Sequence, residues 1–387
     1  MLPWLILGAV LPSACVCWIG GWIVRWLAPR VGLVDRPGAR KIHDKPIPTG
    51  GGLAIWLGLV VPLGIGQCLL WVAITVGPAA PRAAGSSGLD FRNDVSIFGI
   101  DEVVNHIPGL WQQSGKLWLL LAGGSLLMLL GLADDRRGLD WRLRLAVQTA
   151  VAITMVACGW QARLPWNVPG LAFAVSVLWI VGLINSFNML DNMDGLSAGV
   201  AAIAGTMLAA AVLLAPRPDN HQPQLFVAGF LLLIVGSLLG FLAHNRPPAR
   251  LFMGDAGSYL VGYLLAMATL TATFAGGGLP RHGALAPLCV MAVPIYDTAS
   301  VVFIRLRQGR SPFVGDKSHF SHRLVKLGMT KPQAVLTIYL ATATCGLGAL
   351  LLHEVDAIGA VLVLLLIGCT LLLVAILEST KTGRGEM

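Results

Sequence analysis

Four segments of this chain carry side chains that could do chemistry. They are Asp134-Asp135, the run from Asn185 through Asn188, Asp191, Asn192 and Asp194 to Gly195, the triplet Met253-Gly254-Asp255, and the stretch Asp316-Lys317-Ser318-His319-Phe320-Ser321-His322. Adjacent carboxylates such as Asp134 and Asp135 repel, so one holds its proton longer, which suits a general base or a metal-bound pair. The plainer alternative is a solvated loop balancing Arg136, Arg137, Arg142 and Arg144. Asp191 and Asp194 are three apart and would share a face on one helical turn. Helix capping explains one of them, hardly two acids with two asparagines. Asp255 follows a glycine at a helix start, where backbone N–H groups favour phosphate, and it could instead be an ordinary N-cap.

The imidazole stretch offers Asp316, His319 and His322 without a cysteine, short of a closed zinc site. Histidines beside cations fit better as phosphate contacts or proton carriers. A fifth segment, from Arg40-Lys41 through His43, Lys45 and Thr49 to Gly50-Gly51-Gly52, could cradle an anion on backbone N–H groups or simply begin a helix. It is no Walker loop, because Lys45 precedes the glycines. Acids, arginines and glycine turns on one face fit magnesium-assisted transfer of a phosphorylated group to a membrane-borne acceptor.

The elements that must position these groups are hydrophobic. The 387 residues are 56% hydrophobic and only 12% charged, whereas a soluble domain carries about a quarter charged residues. Apolar runs at roughly 3–27, 50–76, 117–133, 145–160, 171–187, 198–215, 225–243, 256–274, 285–304, 333–352 and 357–377 predict an all-α, polytopic membrane protein of about eleven transmembrane helices. One domain covers 1–387, with a long loop at 77–116, helical near Asp94–Trp111, and a His-containing loop at 305–332. The first span lacks a basic start and a cleavage site, so it reads as a retained helix. The cysteines lack paired spacing and predict no disulfide framework.

Charge orients the chain. Of the 27 lysines and arginines, only Arg82, Arg92, Lys116, Arg163, Arg217 and Arg281 fall opposite the loop that follows span 1. The positive-inside rule therefore puts the N-terminus outside and the C-terminus in the cytoplasm, with all the clustered acids on the cytoplasmic face. The net charge of +8 is topology plus a basic face for anionic headgroups, not a nucleic-acid footprint.

In their order from Asp35 to about Leu327, these motifs resemble the polyprenyl-phosphate N-acetylhexosamine-1-phosphate transferases, glycosyltransferase family 4. The resemblance is greatest to the undecaprenyl-phosphate GlcNAc-1-phosphate branch, and the phospho-MurNAc-pentapeptide transferases are the close alternative. It implies transfer of a sugar-1-phosphate, GlcNAc-1-phosphate first, from a UDP-sugar to undecaprenyl phosphate at the cytoplasmic (inner) membrane, with release of UMP. It implies Mg²⁺ as cofactor, with Mn²⁺ as a substitute, and a homodimer as the family's prior.

Carried over by position, Asp134 matches the base that deprotonates the lipid phosphate, with Asp135 beside it, and His319 and His322 match the family's histidine run. Asp255 and Asn188 match metal ligands. Asp194 and Phe252 match residues that bind uracil, Asp191 a further acid, Arg144 a phosphate contact, and Lys45 and Thr49 polar residues of the first cytoplasmic loop. Two departures stand out. Asn192 takes the place of a glycine in Asp-Gly-x-Asp-Gly, and Ser321 replaces the middle histidine of His-x-His-His. Direct attack and a covalent aspartyl intermediate both remain open at this level. A transporter or lipid flippase is the remote alternative. It would hold its polar groups near the midplane in repeated broken helices, and no repeat is apparent.

Overall fold

The computed structural model describes residues 2–35, 46–75, 100–163, 168–214, 224–274, 280–312 and 318–379. The described chain is helical throughout apart from one small antiparallel pair. The helices are α1 (Leu2–Leu27), α2 (Gly51–Thr75), α3 (Ile100–Arg137), α4 (Trp141–Ala157), α5 (Leu171–Leu190), α6 (Leu196–Leu214) and α7 (Leu225–Asn245). They continue with α8 (Gly254–Thr271), α9 (Ala286–Val290), α10 (Ala292–Arg307), α11 (Phe320–Lys326), α12 (Lys331–Leu351) and α13 (Ala357–Ser379). Strands β1 (Val34–Asp35) and β2 (Ile47–Pro48) pair with Val34 opposite Pro48.

Among the described residues, eight helices are long and apolar enough to cross a membrane. The sequence reading of eleven spans differs at three places. The span expected at 145–160 is α4, only 17 residues long. The one at 256–274 is α8, whose first turn carries Asp255. The one at 285–304 is broken, with Arg281–Val290 and Ala292–Arg307 meeting at 65°. A break of this kind frees backbone groups that only a protein interior or a wet cavity can satisfy.

Helix α8 is the pillar of the bundle. Every residue from Ala256 to Thr269 is buried, as an apolar helix without a polar face requires. It packs on α3 and α5, with α2 alongside. Small residues set these approaches. A Cβ at Gly131 of α3 would lie 2.3 Å from the Ala256 nitrogen, and one at Gly262 of α8 would lie 2.6 Å from the Leu183 oxygen. Without a hydrophobic drive inside a bilayer, such close backbone contact is a main source of helix affinity.

Three local expectations change. Helix α3 runs unbroken from Ile100 to Arg137, so the helix expected near 94–111 is continuous with the third span, Trp111–Arg137, and 77–99 lie outside the described residues. The glycine triplet is no anion cradle. Gly51 and Gly52 donate their N–H groups to the carbonyls of Phe252 (2.9 Å) and Met253 (3.2 Å), tying the start of α2 to the segment before α8. Asp191 and Asp194 do not share a helical turn, because α5 ends at Leu190 and 191–195 form a turn closed by Gly195 at φ +76°.

Candidate active site

The acids converge at the start of α8 from helices remote in sequence. Asp135, near the end of α3, aims its carboxylate at the first turn of α8 and accepts from the N–H of Asp255 (2.9 Å) and Ala256 (3.4 Å). Capping of α8 is thus done by Asp135 from a neighbouring helix, and Asp255 is not the N-cap that its position suggested. The Asp255 side chain, 29% exposed, is left facing the site. Its Oδ1 accepts from Asn188 Nδ2 (2.5 Å), and the same amide reaches Ser258 Oγ (3.1 Å).

Asp134 is held from three sides. Its Oδ1 accepts from the Leu139 N–H (2.7 Å), and its Oδ2 accepts from Arg144 Nη1 (2.8 Å) and from the Tyr259 hydroxyl (2.9 Å). Arg144 Nη1 lies 4.0 Å from Asp255 Oδ2, so one guanidinium spans both carboxylates. Asp255 nevertheless feels repulsion from both Asp135 and Asp134. Asp191 joins from the end of α5, its backbone N–H donating to the Phe187 carbonyl (3.1 Å). Desolvation, then repulsion by Asp135 and Asp194, pushes its pKa up to about 7. Asp194 accepts from the Ala249 N–H (2.9 Å), and Gly195 donates to Asn245 Oδ1 (2.9 Å), which locks the turn onto the α7–α8 segment.

The arrangement leaves more negative charge than Arg144 offsets. Among the described residues no three Asp, Glu, His or Cys side chains converge as a ready-made metal cage. Magnesium does not need one, since it takes one or two carboxylates and keeps several waters. Asp255, partly exposed, repelled by its neighbours and bonded to a side-chain amide, fits such a site, with Asn188 as a second oxygen donor after an amide flip.

The histidine segment forms a second wall. His319 Nδ1 lies 3.0 Å from Asp297 Oδ2, and Asp297 Oδ1 accepts from the Phe320 N–H (2.6 Å). The rings of His319 and His322 are 6.3 Å apart. Arg323 anchors α11 through Glu378 of α13 (2.7 Å) and Ser300 of α10 (2.8 Å). The two departures from the family pattern meet: Ser321 Oγ donates to Asn192 Oδ1 (2.5 Å), joining the wall to the acid turn.

Thr49 is buried and its hydroxyl has no hydrogen-bond partner among the described residues. Phe252 is fixed by its backbone, its N–H donating to the Pro48 carbonyl (2.9 Å). Asn185 serves the packing, donating to Gln148 (2.8 Å). Lys45 and Asp316 lie outside the described residues. Sequence reasoning missed Asp297 and Tyr259. The signal for Asp297 was there, a lone carboxylate inside an apolar span. Tyr259 reads as core until the fold brings it to Asp134.

A helical bundle with carboxylates gathered at the mouth of one pillar defines a class, the polytopic membrane proteins with a charged site at a helix end. The model of "Glycosyl transferase family 4" matches residues 117–273. The "Probable undecaprenyl-phosphate N-acetylglucosaminyl 1-phosphate transferase" of Bacillus subtilis (strain 168) is 28% identical over 86% of this chain and 80% of its own length. The "Decaprenyl-phosphate N-acetylglucosaminephosphotransferase" of Mycolicibacterium smegmatis is 32% identical over 85% of this chain and 77% of its own length. The "Undecaprenyl-phosphate alpha-N-acetylglucosaminyl 1-phosphate transferase" of Escherichia coli (strain K12) is 27% identical over 83% and 77%. The chain belongs to glycosyl transferase family 4.

Proposed function

We propose that this chain transfers GlcNAc-1-phosphate from UDP-GlcNAc to undecaprenyl phosphate at the cytoplasmic face of the inner membrane, releasing UMP. The observation that carries it is the meeting of Asp134, Asp135, Asp255, Asn188 and Arg144 at the start of α8. The names of the relatives supply the substrate class. On this reading α4, α8 and the bent α9–α10 pair are crossings beside the eight apolar helices, and the distribution of lysines and arginines supports an N-terminus outside.

In the reaction an oxygen of the lipid phosphate attacks the β-phosphorus of the donor. The bond from that phosphorus to the bridging oxygen breaks, and UMP leaves with the oxygen. Bound Mg²⁺, held by Asp255 and Asn188, would supply charge neutralisation at the diphosphate. Arg144 places its guanidinium between Asp134 and Asp255, where it meets phosphate oxygens as charge develops. Asp134 takes the proton of the lipid phosphate. Its oxygens are bonded to Leu139, Arg144 and Tyr259, which favours a fixed base over a nucleophile that must shed those donors to form a covalent bond. Asp194 and Phe252 receive the uracil, and His319, fixed by Asp297, faces the phosphates together with His322.

The test is the donor. Label from UDP-GlcNAc should pass into an organic-soluble lipid when undecaprenyl phosphate and Mg²⁺ are present. Label passing only from UDP-MurNAc-pentapeptide would move the chain to the other branch.

A further inference from the structure

A second charged site lies on another flank of the bundle. Arg25 stands near the end of α1, and Arg250 lies between α7 and α8. Both adjoin His244 of α7: its ring meets Trp22, which lies under Arg25, and its carbonyl accepts from the Arg250 N–H. Among the described residues neither forms an ion pair with a carboxylate. Nη1 of Arg25 is buried without a hydrogen-bond partner. Two arginines on one frame without a carboxylate partner favour an anion at their accessible edges, Arg25 being partly exposed and Arg250 exposed.

The surroundings indicate what carries the anion. Arg25 lies over the Trp22 ring (4.4 Å) and Arg30 over that of Trp26 (3.7 Å). Trp18, Trp22 and Trp26 all expose large parts of their rings on the outer face of α1. Tryptophans beside arginines at a helix end mark the boundary between hydrocarbon and head groups. The frame is rigid. His244 Nε2 sits 2.9 Å from the Trp18 carbonyl, so it donates there, and its ring meets Trp22 edge-on at 5.5 Å. Gly21 permits this approach, since a Cβ there would lie 2.4 Å from His244. The Arg250 N–H then donates to the His244 carbonyl (2.8 Å), which sets the second arginine beside the first.

We infer that Arg25 and Arg250 bind the phosphate group of an anionic membrane lipid at the bilayer boundary beside α1 and α7. The anion would lie on the α1–α7 side of the segment between α7 and α8, whose Ala249 holds Asp194 and whose Phe252 holds the start of α2. The phosphate has two sources, a bulk phosphodiester lipid or the polyprenyl phosphate itself.

Native mass spectrometry of the full chain, stripped of lipid and titrated with phosphatidylglycerol or undecaprenyl phosphate, tests this and reports the source. The wild type should retain one or both more strongly than phosphatidylcholine. The double variant R25Q/R250Q should lose at least about tenfold in that affinity, given roughly 1 kcal/mol per basic side chain at a membrane surface. R25K/R250K, which keeps both charges, should retain most of it and shows that a loss is not misfolding. A loss confined to phosphatidylglycerol assigns the site to bulk lipid, and one confined to undecaprenyl phosphate assigns it to the acceptor. Equal retention of both lipids by R25Q/R250Q and wild type would overturn the inference. Lipid retention is read without turnover, so the outcome is independent of the proposed transferase activity.

Discussion

Asp134, Asp135 and Asp255 are near neighbours with different tasks, and only their partners tell them apart. Asp135 is bound to backbone N–H groups of α8, so Asp135→Ala removes a cap and should lower stability by about 0.5–2 kcal/mol, measured by thermal unfolding in detergent. Asp255 is the opposite case, a carboxylate held among like charges. Asp255→Asn should therefore leave the melting temperature unchanged or raised while turnover disappears, and a clear drop in melting temperature would contradict that placement. Asp297 fixes His319, so Asp297→Asn should lower kcat by up to about 100-fold and alter its pH profile, with KM for the donor little changed. The sequence showed Asp134, Asp255 and Asn188 because polar groups at the ends of apolar runs have few structural excuses. It hid Asp297, whose partner is 22 residues away, and Tyr259, whose ring is indistinguishable from core until Asp134 lies beside it.

Helices were legible wherever apolar runs were long, and all eight such helices coincide with expected spans. The rest depended on contacts that hydropathy does not carry. Helix α4 is short, α9 and α10 meet at a bend, and α3 begins before its apolar stretch. Glycines in helices read as weak propensity, yet Gly131 and Gly52 are where α3 and α2 touch the start of α8. A Cβ at Gly52 would lie 2.3 Å from the Gly257 nitrogen, as close as the one at Gly131 lies to Ala256. Gly131→Ala or Gly52→Ala should then cost about 1–3 kcal/mol through overpacking and displace Asp255 from Asn188. Unfolding midpoints and residual turnover, measured together, check this. Full activity in either variant would show that α8 tolerates the shift.

At the scale of the whole molecule, the bundle gathers acids that water would otherwise keep apart, and the proposed metal would offset their repulsion. The pH dependence follows from Asp191, whose carboxyl rises from an ordinary 3.8 to about 7. A group raised on folding contributes stability below its unfolded value, and that contribution is lost as pH climbs through the folded one. In EDTA the protein should lose stability between about pH 4 and pH 7, and Mg²⁺ should restore more of it at pH 8 than at pH 6. The central claim is tested most directly by UMP release from UDP-GlcNAc by the purified protein, with and without undecaprenyl phosphate, for wild type and Asp255→Asn. The wild type should release UMP only with the lipid and Mg²⁺ present, and Asp255→Asn should fall by on the order of 100-fold or more. Lipid-dependent release that persists in a folded Asp255→Asn, or none from a folded wild type, would contradict it.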